Sequence, residues 1–145
     1  FFSQEEAEVF DNTVGIRRRH IAPDNMCASD MCQAAAEKLL EELGWERDSI
    51  DVLLFESVTG DYRTPPTSCI LQDRLALSEN CFCMDIPMGC CGCMYAITVA
   101  GNLLTTGNVK RALLVTVVRL LLWSMMKQLM ILLLIFTRME KVMKH

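Results

Sequence analysis

An α/β layered domain with a largely parallel sheet is predicted by three features of the chain. Short apolar runs of strand length alternate with longer helical stretches. One run, residues 50–57, is largely apolar on both faces, as suits a strand buried inside a sheet. Gly, Pro, Asn and Asp cluster at the joins. The order reads β, α, β, α, β, α, β, with no internal repeat.

The elements follow one by one. Gly15-Ile-Arg-Arg-Arg-His-Ile21 is an extended basic segment, and Ala22-Pro-Asp-Asn25 marks the turn after it. Ser29-Asp30 can cap a helix running to about Leu43, because Met31, Ala35, Leu39 and Leu43 recur at helical spacing and Gly44 closes it. Residues 50–57 make the next strand, 60–66 a loop of turn formers, and 67–77 a short amphipathic helix ending before Ser78-Glu-Asn80. Residues 81–86 form a strand that Pro87 and Gly89 break. From Cys90 to Thr106 the chain is apolar or small, about four helical turns, and Gly107-Asn108 supplies the stop. Residues 111–118 form a last strand.

The 145 residues suffice for one core, and a net charge of −4 argues against binding nucleic acid. The chain opens Phe-Phe-Ser-Gln-Glu-Glu, without a basic region and apolar core of secretory type. Eight cysteines in that setting point to a reducing, cytoplasmic compartment in which most are small buried hydrophobes.

The chemistry concentrates in Asp85-Ile-Pro-Met-Gly-Cys-Cys-Gly-Cys-Met-Tyr95. Strand, tight turn and helix put Cys90 where unpaired N–H groups and the positive end of the helix dipole favour a thiolate. This is a nucleophile elbow carrying sulfur, and the N–H of Cys90 can itself face a developing oxyanion. Gly92 is expected to let the helix pack closely against a neighbour, and Cys91 to be a packed thiol. Cys81-x-Cys83 followed by Cys90-Cys91-x-Cys93 invites a metal reading, but the first pair lies in a strand rather than on the turns that structural zinc sites use. No metal is therefore expected, and packing accounts for Cys27, Cys32, Cys69 and Cys93.

Gly15-Ile-Arg, Ala22-Pro-Asp, the run Ala35 to Gly44, Asp61-Tyr62, the run Thr67 to Leu75 and Asp85-Ile-x-x-Gly-Cys-x-Gly-x-x-Tyr-Ala96 together resemble β-ketoacyl-[acyl-carrier-protein] synthase III, from about Val14 to Val117. The resemblance implies the N-terminal half of a thiolase-like layered fold, incomplete at both ends. It implies an acyltransferase that loads a primer from coenzyme A or another carrier onto Cys90 and condenses it with malonyl-[acyl-carrier-protein], giving a 3-oxoacyl product that starts a fatty-acid chain. No cofactor is implied; the thioesters are substrates, acyl carrier protein is the partner, and the full-length family is homodimeric. The histidine and asparagine that assist the family's cysteine belong to its second half. His20 and His145 match neither motif, and Asn102 and Asn108 lie on the elbow helix and at its end. Thr64 falls in the loop that lines the partner's acyl pocket, where a small residue leaves room for a longer or branched acyl group. Val9 and Thr13 stand where a nucleotide-holding Trp and Arg are usual in the family, which leaves the primer's carrier open. Arg17, Arg18 and Arg19 read as a solvated face rather than a phosphate site.

After Thr116-Val-Val118 the pattern departs from the family. Residues 1–118 read as the half-domain, and 119–145 as an apolar and then basic tail expected to stem from a shifted reading frame. Between Ala112 and Phe136, fifteen Leu, Ile, Val and Phe residues favour membrane insertion by roughly 5–9 kcal/mol, against about 5–7 for Arg119 and Lys127. A non-native helix is expected there rather than a membrane span. An inactive dimerising fragment and a small cysteine-rich metal-binding protein are the alternative functions.

Overall fold

The computed structural model describes residues 3–14, 22–119 and 129–137. Helix α1 spans Gln4–Val14 and α2 Ala28–Leu43; strand β1 is Val52–Glu56, α3 Thr67–Arg74, β2 Phe82–Ile86, α4 Gly92–Thr105, β3 Arg111–Arg119 and β4 Leu129–Thr137. The sheet runs β2-β1-β3-β4, with β1 parallel to both β2 and β3 and β4 antiparallel to β3. The predicted α/β class with a mainly parallel sheet thus holds. The predicted strand at 14–21 falls almost wholly outside the described residues; Val14 itself ends α1.

β1 occupies the middle of the three parallel strands, and Val52, Leu53, Leu54 and Phe55 are fully buried. Alternate side chains serve two cores. Leu53 and Phe55 join Met31, Cys32, Ala36, Leu40, Leu71 and Leu75 beneath α2 and α3, while Val52 and Leu54 join Ala96, Ala100 and Leu114 beneath α4. The inward row of α2 is Met31 and Cys32, Ala36, Leu40, and Leu43 is 46 % exposed. Leu39 packs against this core from a partly buried position, and the four-residue spacing that marks the helix leaves the core by Leu43 because it drifts off the 3.6-residue turn.

The start of α2 also differs from expectation. Cys27 is the N-cap, with Asp30 reaching back to accept from its N–H at 2.7 Å, while Ser29 is turned to Asp61. The end of α2 is as predicted. Gly44 adopts φ 61°, and the N–H of Trp45 returns to the carbonyl of Leu40 at 3.1 Å.

The helix expected in the tail is corrected for residues 129–137. They pair as β4 with all of β3, from Arg111 opposite Thr137 to Arg119 opposite Leu129. A leucine and isoleucine run fits either state, and the open ladder of β3 satisfies its backbone groups as a strand. Among the described residues, no helix is long and apolar enough to cross a membrane.

Candidate active site

The site lies at the C-terminal ends of parallel strands, where an open α/β sheet presents its loops. β2 stops at Ile86, Pro87 cannot continue a ladder, and the chain turns through residues 89–92 with Gly92 N–H bonded to Gly89 O at 2.7 Å. Cys90 stands at the outer corner and is exposed. The helix begins two residues later than expected, at Gly92 with Cys91 as N-cap (φ −91°, ψ −6°). Cys90 therefore precedes the helix rather than opening it. Cys91 is exposed as well, so its expected packing is not seen.

What fixes the helix against the sheet is a row of small residues: Gly92, Ala96 and Ala100 all face inward. At Gly92 the approach is closest. A Cβ there would stand 2.6 Å from Cδ and 2.9 Å from Cγ of Glu56, the last residue of β1. The neighbour for which Gly92 makes room is thus an acid. Glu56 is 2 % exposed; its Oε2 accepts from Thr116 Oγ1 directly across on β3, while Oε1 is buried without a partner among the described residues. Burial raises the Glu56 pKa, partly offset by the Thr116 hydrogen bond. Cys93 is shifted upward too, first by burial and then by the charge of Glu56.

A polar strut joins this turn to the neighbouring loop. Asp85, one residue before β2 ends, accepts from Thr67 N–H at 2.7 Å and Ser68 N–H at 2.8 Å, capping α3 from another element. The N–H of Asp61 donates to Thr67 Oγ1 at 3.2 Å, the carboxylate of Asp61 takes the hydroxyl of Ser29, and Arg74 donates to Ser29 Oγ at 2.7 Å and Asp30 at 2.9 Å. A cavity of about 480 Å³ opens beside the strut, lined by Phe55, Ser57, Asp61, Tyr62, Arg63, Pro66, Asp85 and Pro87 among others. Thr64 is exposed and precedes a cis peptide to Pro65. Neither Thr64 nor Cys90 lines the cavity; Arg63, next to Thr64, does, as does Pro87, three residues before Cys90.

Val9 and Thr13 lie one turn apart on α1, where Thr13 Oγ1 donates to Val9 O at 2.7 Å. Arg17, Arg18, Arg19, His20 and His145 lie outside the described residues. Among the described residues, no three His, Cys, Asp or Glu side chains converge as metal ligands. The thiol of Cys83 on β2 donates to the carbonyl of Cys81 at 3.5 Å, and the neighbouring Cys81 thiol, followed by burial, raises the Cys83 pKa. Sequence reasoning missed Glu56 and the capping role of Asp85. The signal for each was an acid at or near the end of an otherwise apolar strand.

No family model matches the chain. The β-ketoacyl-[acyl-carrier-protein] synthase III of Xanthomonas oryzae pv. oryzae is 38% identical over 119 residues, 80% of this chain and 36% of its own. The enzyme of the same name from Ehrlichia canis is 36% identical over 101 residues, 70% of this chain and 31% of its own. The crystal structure of a 3-oxoacyl-(acyl-carrier protein) synthase from Burkholderia xenovorans LB400 superposes with a TM-score of 0.71 at 41% identity, covering 80% of this chain and 33% of that one. The chain spans about a third of the length of the curated relatives it matches.

Proposed function

From kinship with β-ketoacyl-[acyl-carrier-protein] synthase III, shared over 80% of the chain, we propose that this polypeptide carries the nucleophile half of an acyl-condensing enzyme. Over those residues the fold is thiolase-like. The observation that carries the reading is the elbow: an exposed cysteine at a turn between a parallel strand and a helix whose first residue is held against the sheet.

In the first step, the Cys90 thiolate attacks the carbonyl carbon of an acyl thioester. Its carbon–sulfur bond forms as the carrier thiolate leaves, and the transient oxyanion faces the N–H of Cys90. In the second step, malonyl-[acyl-carrier-protein] loses carbon dioxide, and the resulting carbanion attacks the acyl carbon and expels the Cys90 thiolate. Coenzyme A or acyl-carrier-protein thioesters are the substrates, acyl carrier protein and a second copy of the enzyme the partners, and the cytoplasm the setting. Thr64 and the loop around it shape the acyl end. The 145 residues taken alone load an acyl group but complete no condensation, because His20 and His145 match neither family motif and Asn102 and Asn108 belong to the elbow helix and its end, which leaves the carbanion without the family's stabilising pair.

Incubation with acyl-coenzyme A or acyl-carrier protein, followed by peptide mass mapping, tests this. One acyl adduct on Cys90, absent from Cys90→Ser, is expected. Adducts spread over the other exposed thiols, Cys27, Cys69 and Cys91, or none at all, overturn the reading.

A further inference from the structure

Glu56 is the buried charge-bearing group that the acyl-transfer steps leave unused. Three observations single it out. It is 2 % exposed, one carboxyl oxygen has no partner among the described residues, and that oxygen fills the space a side chain at residue 92 would take. Among the described residues no cation pairs with it, as a structural ion pair would require. Around it stand Gly92 and Cys93 from α4, Thr116 from β3 and Ile86 from β2. Among these, Cys93 is the group that titrates. The nearest acid on β2, Asp85, is register partner to Phe55 and serves the opposite face, where it caps α3.

We propose that Glu56 is a positioning residue: its carboxyl seats the first turn of α4 beneath the elbow, and its gain or loss of a proton tunes the reactivity of Cys90. The inference rests on the reading of Cys90 as nucleophile. Protonated, Glu56 places no charge under the turn and leaves the positive end of α4 to the thiolate and then to the oxyanion. Ionised, it sets a poorly solvated negative charge against Gly92 and Cys93 in the first turn of α4, offsets the positive helix end that faces the elbow, and strains the contact at Gly92. Burial favours the protonated form, in the direction already given for Glu56. Substrate loading is therefore slowed on the alkaline side by ionisation of this carboxyl group.

The test is the rate of Cys90 carbamidomethylation by iodoacetamide, followed from acid to alkaline pH by peptide mapping of the full chain. The wild type is expected to show two inflections and Glu56→Gln one. Above the Glu56 inflection the variant reacts about tenfold faster. Thr116→Val, which removes the one hydrogen bond to the carboxyl, moves the Glu56 inflection upward and guards against a Gln variant that fails to fold. The Gly92 amide resonance supplies a second readout and is expected to follow the carboxyl titration. Superimposable rate profiles with a Gly92 resonance indifferent to Glu56 overturn the inference. An inert Cys90 with a Gly92 resonance that still follows Glu56 overturns the nucleophile instead and leaves the seating role standing.

Discussion

At residue 92 the side chain is a single hydrogen, and the structure shows why: the carboxyl of Glu56 occupies the volume beside it. Gly92→Ala is expected to destabilise the chain by about 1–3 kcal/mol, the usual cost of overpacking, read as a lower urea midpoint. A second expectation concerns Cys32. Its thiol is buried and pushed up to about 12, by burial first and then by Asp61. It should resist alkylation at neutral pH in the native chain and react only after unfolding, a difference visible in the same peptide maps that report Cys90. The turn that carries Cys90 was legible in the sequence because Pro87 and Gly89 break a strand just where a long apolar helix follows. Glu56 was not legible. A lone acid at the end of an apolar run reads as the point where a strand surfaces, and only the packing of α4 shows that it does not.

Among the elements, α3 depends most on a residue outside itself. It is 8 residues long, and its cap Pro66 offers no side-chain acceptor, so Asp85 on β2 satisfies the N–H groups of Thr67 and Ser68. Asp85→Ala should cost about 1–2 kcal/mol, the range for a lost helix cap, with Asp85→Asn in between because it keeps one acceptor oxygen. Chemical denaturation of the three proteins checks the order. The extents of α2, β1 and β2 were readable to within one to a few residues from apolar spacing, from Gly44 and from Pro87. The state of residues 129–137 was not, because a leucine-rich run carries no period that separates helix from strand.

For the whole molecule, the buried carboxyl makes stability depend on pH in a definite sense. The folded pKa of Glu56 lies above the ordinary value of 4.5, so the folded chain binds more protons than the unfolded one between those two values. The slope of stability against pH is negative in that window. The Glu56 contribution is complete below about 4.5 and is lost as pH rises through the folded value. Replacing Glu56 with Gln should remove that component, so the difference in unfolding free energy between the two proteins changes across the window and is flat on either side. Equal pH profiles for the two would contradict the burial described for this side chain. The layered sheet and the elbow were both predictable at this scale, since each follows from the alternation of elements, whereas the joining of loop, helix and turn by Asp61, Thr67 and Asp85 spans residues far apart in sequence.

That joining bears on any effort to retune the protein. Residues 57–66 and the cysteine turn hang from one bracket, so under the acyl-transfer function proposed above, swapping loop residues to admit a bulkier primer would disturb the alignment of the sulfur as well. Selectivity and speed would then be geared together, and a loop library screened for preference alone would report a blend of the two.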